Sequence, residues 1–142
     1  MISETKRQGT IYEHLFIVRS LQEGFEPHLT VGDFLPHDII VTNSAGASCR
    51  GQVKGTANAK VEERQNPRYR ITAGVSQGNK GKAPIDCTKV DVLAAYIEPV
   101  DAWYMVPCLK IKSPSTWFYP NTKGGSKGYY EQFREDWDYF RR

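Results

Sequence analysis

The chain has 142 residues, a formal net charge of +3, 39% hydrophobic residues and 25% charged residues. That length suits one domain around one core, here spanning residues 1–142, and the composition excludes a disordered chain, which needs low hydrophobicity and high net charge. There is no apolar run long enough to cross a bilayer, and MISETKRQGT at the N-terminus lacks the apolar stretch of a secretory signal, so a soluble, cytoplasmic protein with no membrane partner is expected.

The first predicted element is a helix over 5–23. Ile11, Leu15, Val18 and Leu21 recur at helical spacing, and Tyr12, Phe16 and Ile17 widen the apolar surface almost all round. Such a helix is expected to be mostly buried. Gly24 follows as its C-terminal cap. Short strand-like runs come next, at 25–30 and, after Pro36, at 37–42. Asn43 to Gly46 reads as a turn, and 47–54 as the strand that completes a hairpin. A weaker strand covers 69–73. The stretch 74–82 reads as a loop, 89–97 as a strongly apolar strand, and 103–107 as its partner. A terminal helix is predicted over 129–142, with Tyr130, Phe133, Trp137 and Phe140 on one stripe. That stripe suits packing in a core or dimer; base stacking is the functional alternative. The order helix, strands, helix predicts an α/β or α+β sandwich with a mixed central sheet.

Cys49, Cys87 and Cys108 are odd in number and widely spaced, so three buried, reduced thiols are expected. His14, His28 and His37 form no ligand cluster of their own. The positive charge is concentrated in the middle of the chain. Between Lys54 and Lys82 lie Lys60, Arg64, Arg68, Arg70 and Lys80, against only Glu62 and Glu63. Such a segment suits a phosphate backbone, though a solvated loop has the same composition.

The strand Cys49-Arg50-Gly51-Gln52-Val53-Lys54 carries the chemistry. Side chains alternate faces along a strand, so Cys49, Gly51 and Val53 face one way and Arg50, Gln52 and Lys54 the other. If the hairpin forms, Asp38 at the start of one strand lies near Lys54 at the end of the other. A carboxylate, an amide and an ammonium then converge at one sheet edge. Phosphodiester hydrolysis needs such a group: oxygen ligands hold a hard Mg²⁺ ion, the ion acidifies a water, and a lysine stabilises charge developing on phosphorus. Glu13 offers a second carboxylate from an otherwise apolar side of the first helix, where burial is costly unless the charge is paired or metal-bound. A snorkelling or capping glutamate is the alternative.

Asp38-Ile39-Ile40-Val41, followed after a turn by Gln52-Val53-Lys54, resembles the PD-(D/E)XK nuclease superfamily. Pro36-His37-Asp38 is close to its Pro-Asp element, with one residue inserted. More closely, the chain is similar to small endonucleases associated with group I introns and to Holliday junction resolvases. The likeness extends to Gly9–Glu13, Gly32-Asp33, Gly55-Thr56, Val90-Asp91-Val92, Trp103-Tyr104, Val106-Pro107 and Arg134-Glu135-Asp136-Trp137. It implies a restriction-endonuclease-like α/β core, a central mixed sheet flanked by helices. It implies Mg²⁺ (or Mn²⁺) held by Asp38, the Gln52 side-chain oxygen, the Val53 carbonyl and Glu13, with Lys54 as catalytic lysine. Gln52 stands where an acidic ligand is usual, so metal affinity is expected to be weaker unless Glu13 supplies the charge. No small-molecule cofactor is implied.

Arg50, Arg68, Lys80 and Lys82 are candidate DNA phosphate contacts, which position the duplex without reading sequence. Asp33 lies near the metal or caps a turn. Asp86 and Asp91 fit hydrogen bonds at strand ends. Two substrates compete, branched DNA and a specific duplex site. A resolvase needs two sites at fixed separation and hence a homodimer, whereas a homing enzyme needs extra base-reading elements. The chain shows no added specificity domain, which favours structure-selective cleavage. A non-catalytic nucleic-acid-binding module and a structural domain using the aromatic tail are the readings from other classes.

Overall fold

The computed structural model describes residues 3–32, 35–61, 66–76, 82–122, 125 and 127–142. Helix α1 runs from Glu4 to Gln22. Ser3 Oγ caps it by accepting the Lys6 N–H at 3.2 Å. Gly24, at φ +91°, ends it in the left-handed region that glycine tolerates. The helix buries Tyr12, Phe16 and Ser20. Ile11, Leu15, Val18 and Leu21 are instead 38% to 58% exposed. This corrects the expected mostly buried helix. The aromatic row wins because each ring buries about 150–250 Å². Phe16 lies 5.2 Å from the Trp103 ring and 5.5 Å from Trp137. No helix among the described residues is long and apolar enough to cross a membrane.

The central sheet contains β1 (Glu26–Leu29), β2 (Ile39–Thr42), β3 (Ser48–Thr56), β8 (Val92–Ile97) and β9 (Ala102–Pro107), in the order β1-β2-β3-β8-β9. Only β3 and β8 pair in parallel; the other neighbours are antiparallel. The expected β2–β3 hairpin forms. Asn43 Oδ1 accepts the N–H groups of Ala45 and Ala47, each at 3.0 Å, and closes the turn. β4 (Ala59–Lys60), β5 (Arg68–Thr72) and β10 (Ser115–Phe118) form a second sheet, ordered β10-β5-β4. β6 (Val75–Ser76) pairs with β7 (Lys82–Ala83).

Every residue of β8 is buried, as its continuous apolar run predicts for a strand covered on both faces. Val92, Ala94 and Tyr96, with Trp103 and Met105 of β9, pack against α1 and the C-terminal Trp137 and Phe140. Leu93, Ala95 and Ile97, with Tyr104 and Val106, pack against Tyr69, Ile71, Phe118, Tyr130 and Phe133. The result is an α/β sandwich around a mixed sheet. One face is covered by α1 as expected. The other is covered by the small antiparallel sheet and a 3-10 turn rather than by an α-helix.

The single C-terminal helix expected from sequence is two 3-10 segments, Tyr129–Phe133 and Trp137–Arg141. The aromatic stripe is real but divided. Tyr130 and Phe133 serve one face of the sheet, Trp137 and Phe140 the other. A straight helix cannot serve both faces, so the chain breaks at Glu135, φ +53°. Glu135 N–H donates to Trp103 O at 2.6 Å. Its carboxylate accepts from Trp103 N–H at 2.7 Å and Trp137 Nε1 at 3.0 Å, and it pairs with Arg19 of α1. Glu135→Ala strands the buried Trp103 N–H and is expected to cost about 2–3 kcal/mol, seen as a lower urea midpoint with an unchanged slope.

Cys87 and Cys108 form a disulfide, and Cys49 is the free thiol. This corrects the expectation of three reduced thiols. The antiparallel register Val92↔Pro107 places the residues before β8 beside those after β9, a non-local pairing that spacing along the chain cannot reveal. Burial pushes the Cys49 thiol up to about 11.

Candidate active site

The site begins where β2 and β3 part. Their pairing runs to Ile39↔Gly51. One step beyond, Asp38 N–H donates to Gly51 O at 2.8 Å. β3 then continues through Thr56 with β8 on its other side. The edge left by β2 needs a new acceptor for Val53 N–H, and Asp38 Oδ2 takes it at 2.9 Å. In an antiparallel strand the N–H and C=O of one residue point to the same side. The Val53 carbonyl therefore faces the edge that Asp38 occupies. Thr30 fixes the Asp38 backbone: its N–H donates to Asp38 O at 3.1 Å and its Oγ1 at 3.3 Å.

Gln52 is only 8% exposed. Its Nε2 donates to Pro36 O at 3.4 Å. Its Oε1 is buried and has no hydrogen-bond partner among the described residues. A buried amide oxygen in that condition costs free energy unless something else satisfies it. A hard cation is one such partner.

Glu13 is half-buried on α1, and Lys54 is exposed on β3. Glu13, Asp38, Val53 and Lys54 line one cleft, together with Tyr12, Gly55 and Glu98. Glu13 and Asp38 also line the adjoining hollow beneath Leu29, Thr30 and Gly32. The two carboxylates thus sit on the ridge between two openings. The structure therefore brings together Glu13, Asp38, Val53 and Lys54, whereas the buried Gln52 side chain lines neither opening. Among the described residues no group of three or more His, Cys, Asp or Glu could hold a metal ion. A cation here would need a mixed set, two carboxylates completed by amide and backbone oxygens. The donors present fit that description.

Sequence reasoning missed the packing role of Gly55 and the presence of Glu98. A Cβ on Gly55 would lie 2.5 Å from the Tyr12 ring, so only glycine lets α1 lie this close to β3. Glu98 also enters the cleft and accepts from Tyr12 Oη at 3.2 Å. A glycine directly after the lysine of the motif was the available signal for the first; Glu98 carried none.

Arg50 stands elsewhere. Its Nη2 lies 3.0 Å from Asp91 Oδ1, its Nε and its backbone N–H reach Asp91 Oδ2 at 3.2 and 2.7 Å, and its Nη1 donates to Thr88 O at 3.0 Å. These bonds tie β3 to the start of β8, and the strand-end role expected of Asp91 is observed. The bonds from Arg50 hold the Asp91 carboxyl below its usual range. A depressed folded-state value contributes stability above the unfolded pKa and loses it as pH falls through the folded one. Asp91→Asn is therefore expected to lower stability at neutral pH and flatten the acid side of the stability curve, read as urea midpoints from pH 7 downward. Arg68 lies on β5, away from the cleft lining. Asp33, Arg64, Lys80 and the Lys82 side chain lie outside the described residues.

The chain matches the family model for PD-(D/E)XK endonuclease over residues 3–129. It belongs to that family. Among solved structures it is similar to the bacterial homing endonuclease I-Ssp6803I, with a TM-score of 0.73 and 22% identity over 98% of this chain and 95% of that one. It also matches Hjc, a Holliday junction resolvase from the archaeal hyperthermophile Archaeoglobus fulgidus, with a TM-score of 0.47 and 18% identity over 80% of this chain and 88% of that one. No curated protein sequence matches it. The first likeness establishes the restriction-endonuclease-like fold expected from sequence.

Proposed function

We propose that this chain is a divalent-metal-dependent DNA endonuclease. Asp38, Gln52 Oε1, the Val53 carbonyl and Glu13 are its ligands for Mg²⁺ (or Mn²⁺), and Lys54 is its catalytic lysine. The observation that carries this reading is the Asp38 carboxylate bound to the Val53 N–H in the cleft that Glu13 and Lys54 also line; the buried Gln52 Oε1, one residue before Val53 and with no hydrogen-bond partner among the described residues, supports it. The fit is electrostatic as well. Asp38 and Glu13 together match a dication, and the neutral Gln52 adds an oxygen without excess charge.

When bound, a divalent ion supplies polarisation of the scissile phosphate and acidification of a water. The chain's own groups do the rest. Asp38 is held in the cleft by Thr30 on its backbone and by the Val53 N–H on its carboxylate. Lys54, exposed in the same cleft, meets the phosphate as a point charge and stabilises the charge that develops on it. Arg68 and the basic segment through Lys82 hold the duplex backbone.

Within this reading, the substrate is branched DNA cut by a symmetric homodimer, with a specific duplex site as the alternative. The test is incubation with Mg²⁺ and a labelled four-way junction beside linear duplex of the same sequence. Paired symmetric nicks confined to the junction support structure-selective cleavage. Cutting at one duplex site moves the assignment to a homing-type enzyme. Cleavage of neither, with EDTA making no difference, overturns the catalytic reading.

A further inference from the structure

The outer face of α1 has a composition that its own core does not explain. The helix buries Tyr12, Phe16 and Ser20 against the sheet. On the opposite side Arg7, Ile11, His14, Val18 and Leu21 follow one another at steps of four, three, four and three residues. That is the heptad spacing of a helix-pairing seam. All five are exposed, and so is Leu15 beside them. A solvated helix face ordinarily carries charged and polar residues at such positions. Here Ile11, Val18 and Leu21 stand in their place.

The shape of this face specifies what fits it. Ile11, His14, Leu15 and Val18 stand at i, i+3, i+4 and i+7 and, with Thr10, line one shallow, almost wholly apolar hollow. Four residues at that spacing form the hole that receives a side-chain knob from a facing helix. The stripe is bordered by the uncharged Gln8, Thr10 and Gln22. Glu13 lines the cleft instead, and Arg19 turns to Glu23 and Glu135. The same stripe supplies the knobs, Val18 and Leu21, so it complements itself. Charge then fixes the direction. Parallel copies would set Arg7 against Arg7 and His14 against His14. In an antiparallel pair each Arg7, bonded to Glu4 in its own first turn at 3.2 Å, lies at the C-terminal end of the other helix. The carbonyl end of the helix dipole favours a cation there. Ile11 then meets Leu21 and His14 meets Val18, each contact occurring twice, as a two-fold axis requires.

We infer that the outer face of α1 is the contact between two copies of this chain, packed as an antiparallel helix pair. This rests on the homodimer of the proposed function, whose surface it names, and does not require the cleft to be catalytic. A two-fold axis running between the helices, perpendicular to both, keeps whatever flanks α1 on the same side in both copies. Glu13 flanks it, so both clefts lie on one side of the pair, as two cuts in one DNA molecule need.

Analytical ultracentrifugation without DNA or divalent metal, over a wide range of protein concentrations, reads the association. The wild type is expected to sediment as a monomer–dimer equilibrium. Val18→Glu places a charge in the seam and should weaken association by at least about tenfold; Val18→Ala should weaken it less. His14→Leu removes the polar side chain from the middle of the seam and should strengthen the dimer. Ile11→Lys and Leu21→Glu should each be monomeric alone and pair when mixed, because only antiparallel packing sets position 11 against position 21. Melting curves identify any variant that fails to fold, and His14→Leu tests the seam without destabilising the helix. A wild type that stays monomeric at every concentration overturns the seam and the homodimer; a monomer that still nicks DNA leaves the endonuclease reading standing. A dimer unchanged in folded Val18→Glu and Leu21→Glu keeps the homodimer and overturns this surface. Monomeric protein that sediments with phosphatidylglycerol vesicles, and loses them in Val18→Glu, assigns the face to a lipid surface and overturns the pairing. A seam-dependent dimer that cuts nothing supports the pairing while the catalytic reading fails.

Discussion

Lys54→Ala should lower the cleavage rate about 10²–10³-fold, the usual effect of removing one pre-organised charge from a transition state, while the protein folds normally and still retains DNA. The reason is the setting of the side chain. Lys54 is exposed, so truncating it leaves no cavity in the core. Asp38 is a less clean target. Its carboxylate also accepts the Val53 N–H, and Asp38→Ala would strand that donor at a cost of about 1–3 kcal/mol. Lys54→Arg should not rescue the rate, because a planar fork does not occupy the place of a compact ammonium. The measurement is single-turnover cleavage at saturating DNA, beside anisotropy in EDTA. Unchanged cleavage in Lys54→Ala would remove the lysine from the reaction; lost binding in EDTA with no loss of rate on bound DNA would reassign it to substrate capture.

Gly55→Ala should damage stability and cleavage together. The added methyl would lie within 2.5 to 2.7 Å of three carbons of the Tyr12 ring. Tyr12 is buried among Tyr96 and its neighbours and donates to Glu98, so it has little room to retreat. Overpacking of this kind costs about 1–3 kcal/mol. Relief requires α1 to lift from β3, and α1 carries Glu13, one residue from the clash. The melting temperature should fall, and cleavage should fall further than the lost folded fraction explains. Tyr12→Ala with Gly55→Ala should be less damaging than the sum of the two single changes, since the second methyl then enters the space the ring vacates. Strict additivity would show that the ring and the glycine do not oppose each other.

The strand Cys49–Lys54 and its hairpin were legible because their information is local. Alternation alone separated Gln52 and Lys54 from Val53, and the turn at Asn43–Gly46 set the hairpin that brings Asp38 to the same edge. The buried β8 and its partner β9 were equally legible, since a continuous apolar run followed by a short turn leaves few alternatives. The N-terminal helix was found, but its buried face was misjudged. Aliphatic and aromatic residues wrap nearly the whole cylinder, and periodicity cannot rank them. The tail failed for a related reason. Tyr130, Phe133, Trp137 and Phe140 do keep helical spacing, yet two of them belong to each core.

By itself, then, the sequence determined the short-range facts: which side chains share a strand face, where the chain turns, and which strand must be covered on both sides. Only the tertiary structure decided what meets across the sheet. Arg50 is committed to Asp91, Cys87 is joined to Cys108, and the Gln52 oxygen is buried without a hydrogen-bond partner among the described residues. The parallel pairing of β3 with β8 joins segments far apart in the chain, Gly51 with Val92 onward, and is selected by burial on both faces at once. No local spacing encodes that choice. It follows from the free energy of closing two cores around one sheet, and that closure decides which polar groups are left lining the cleft.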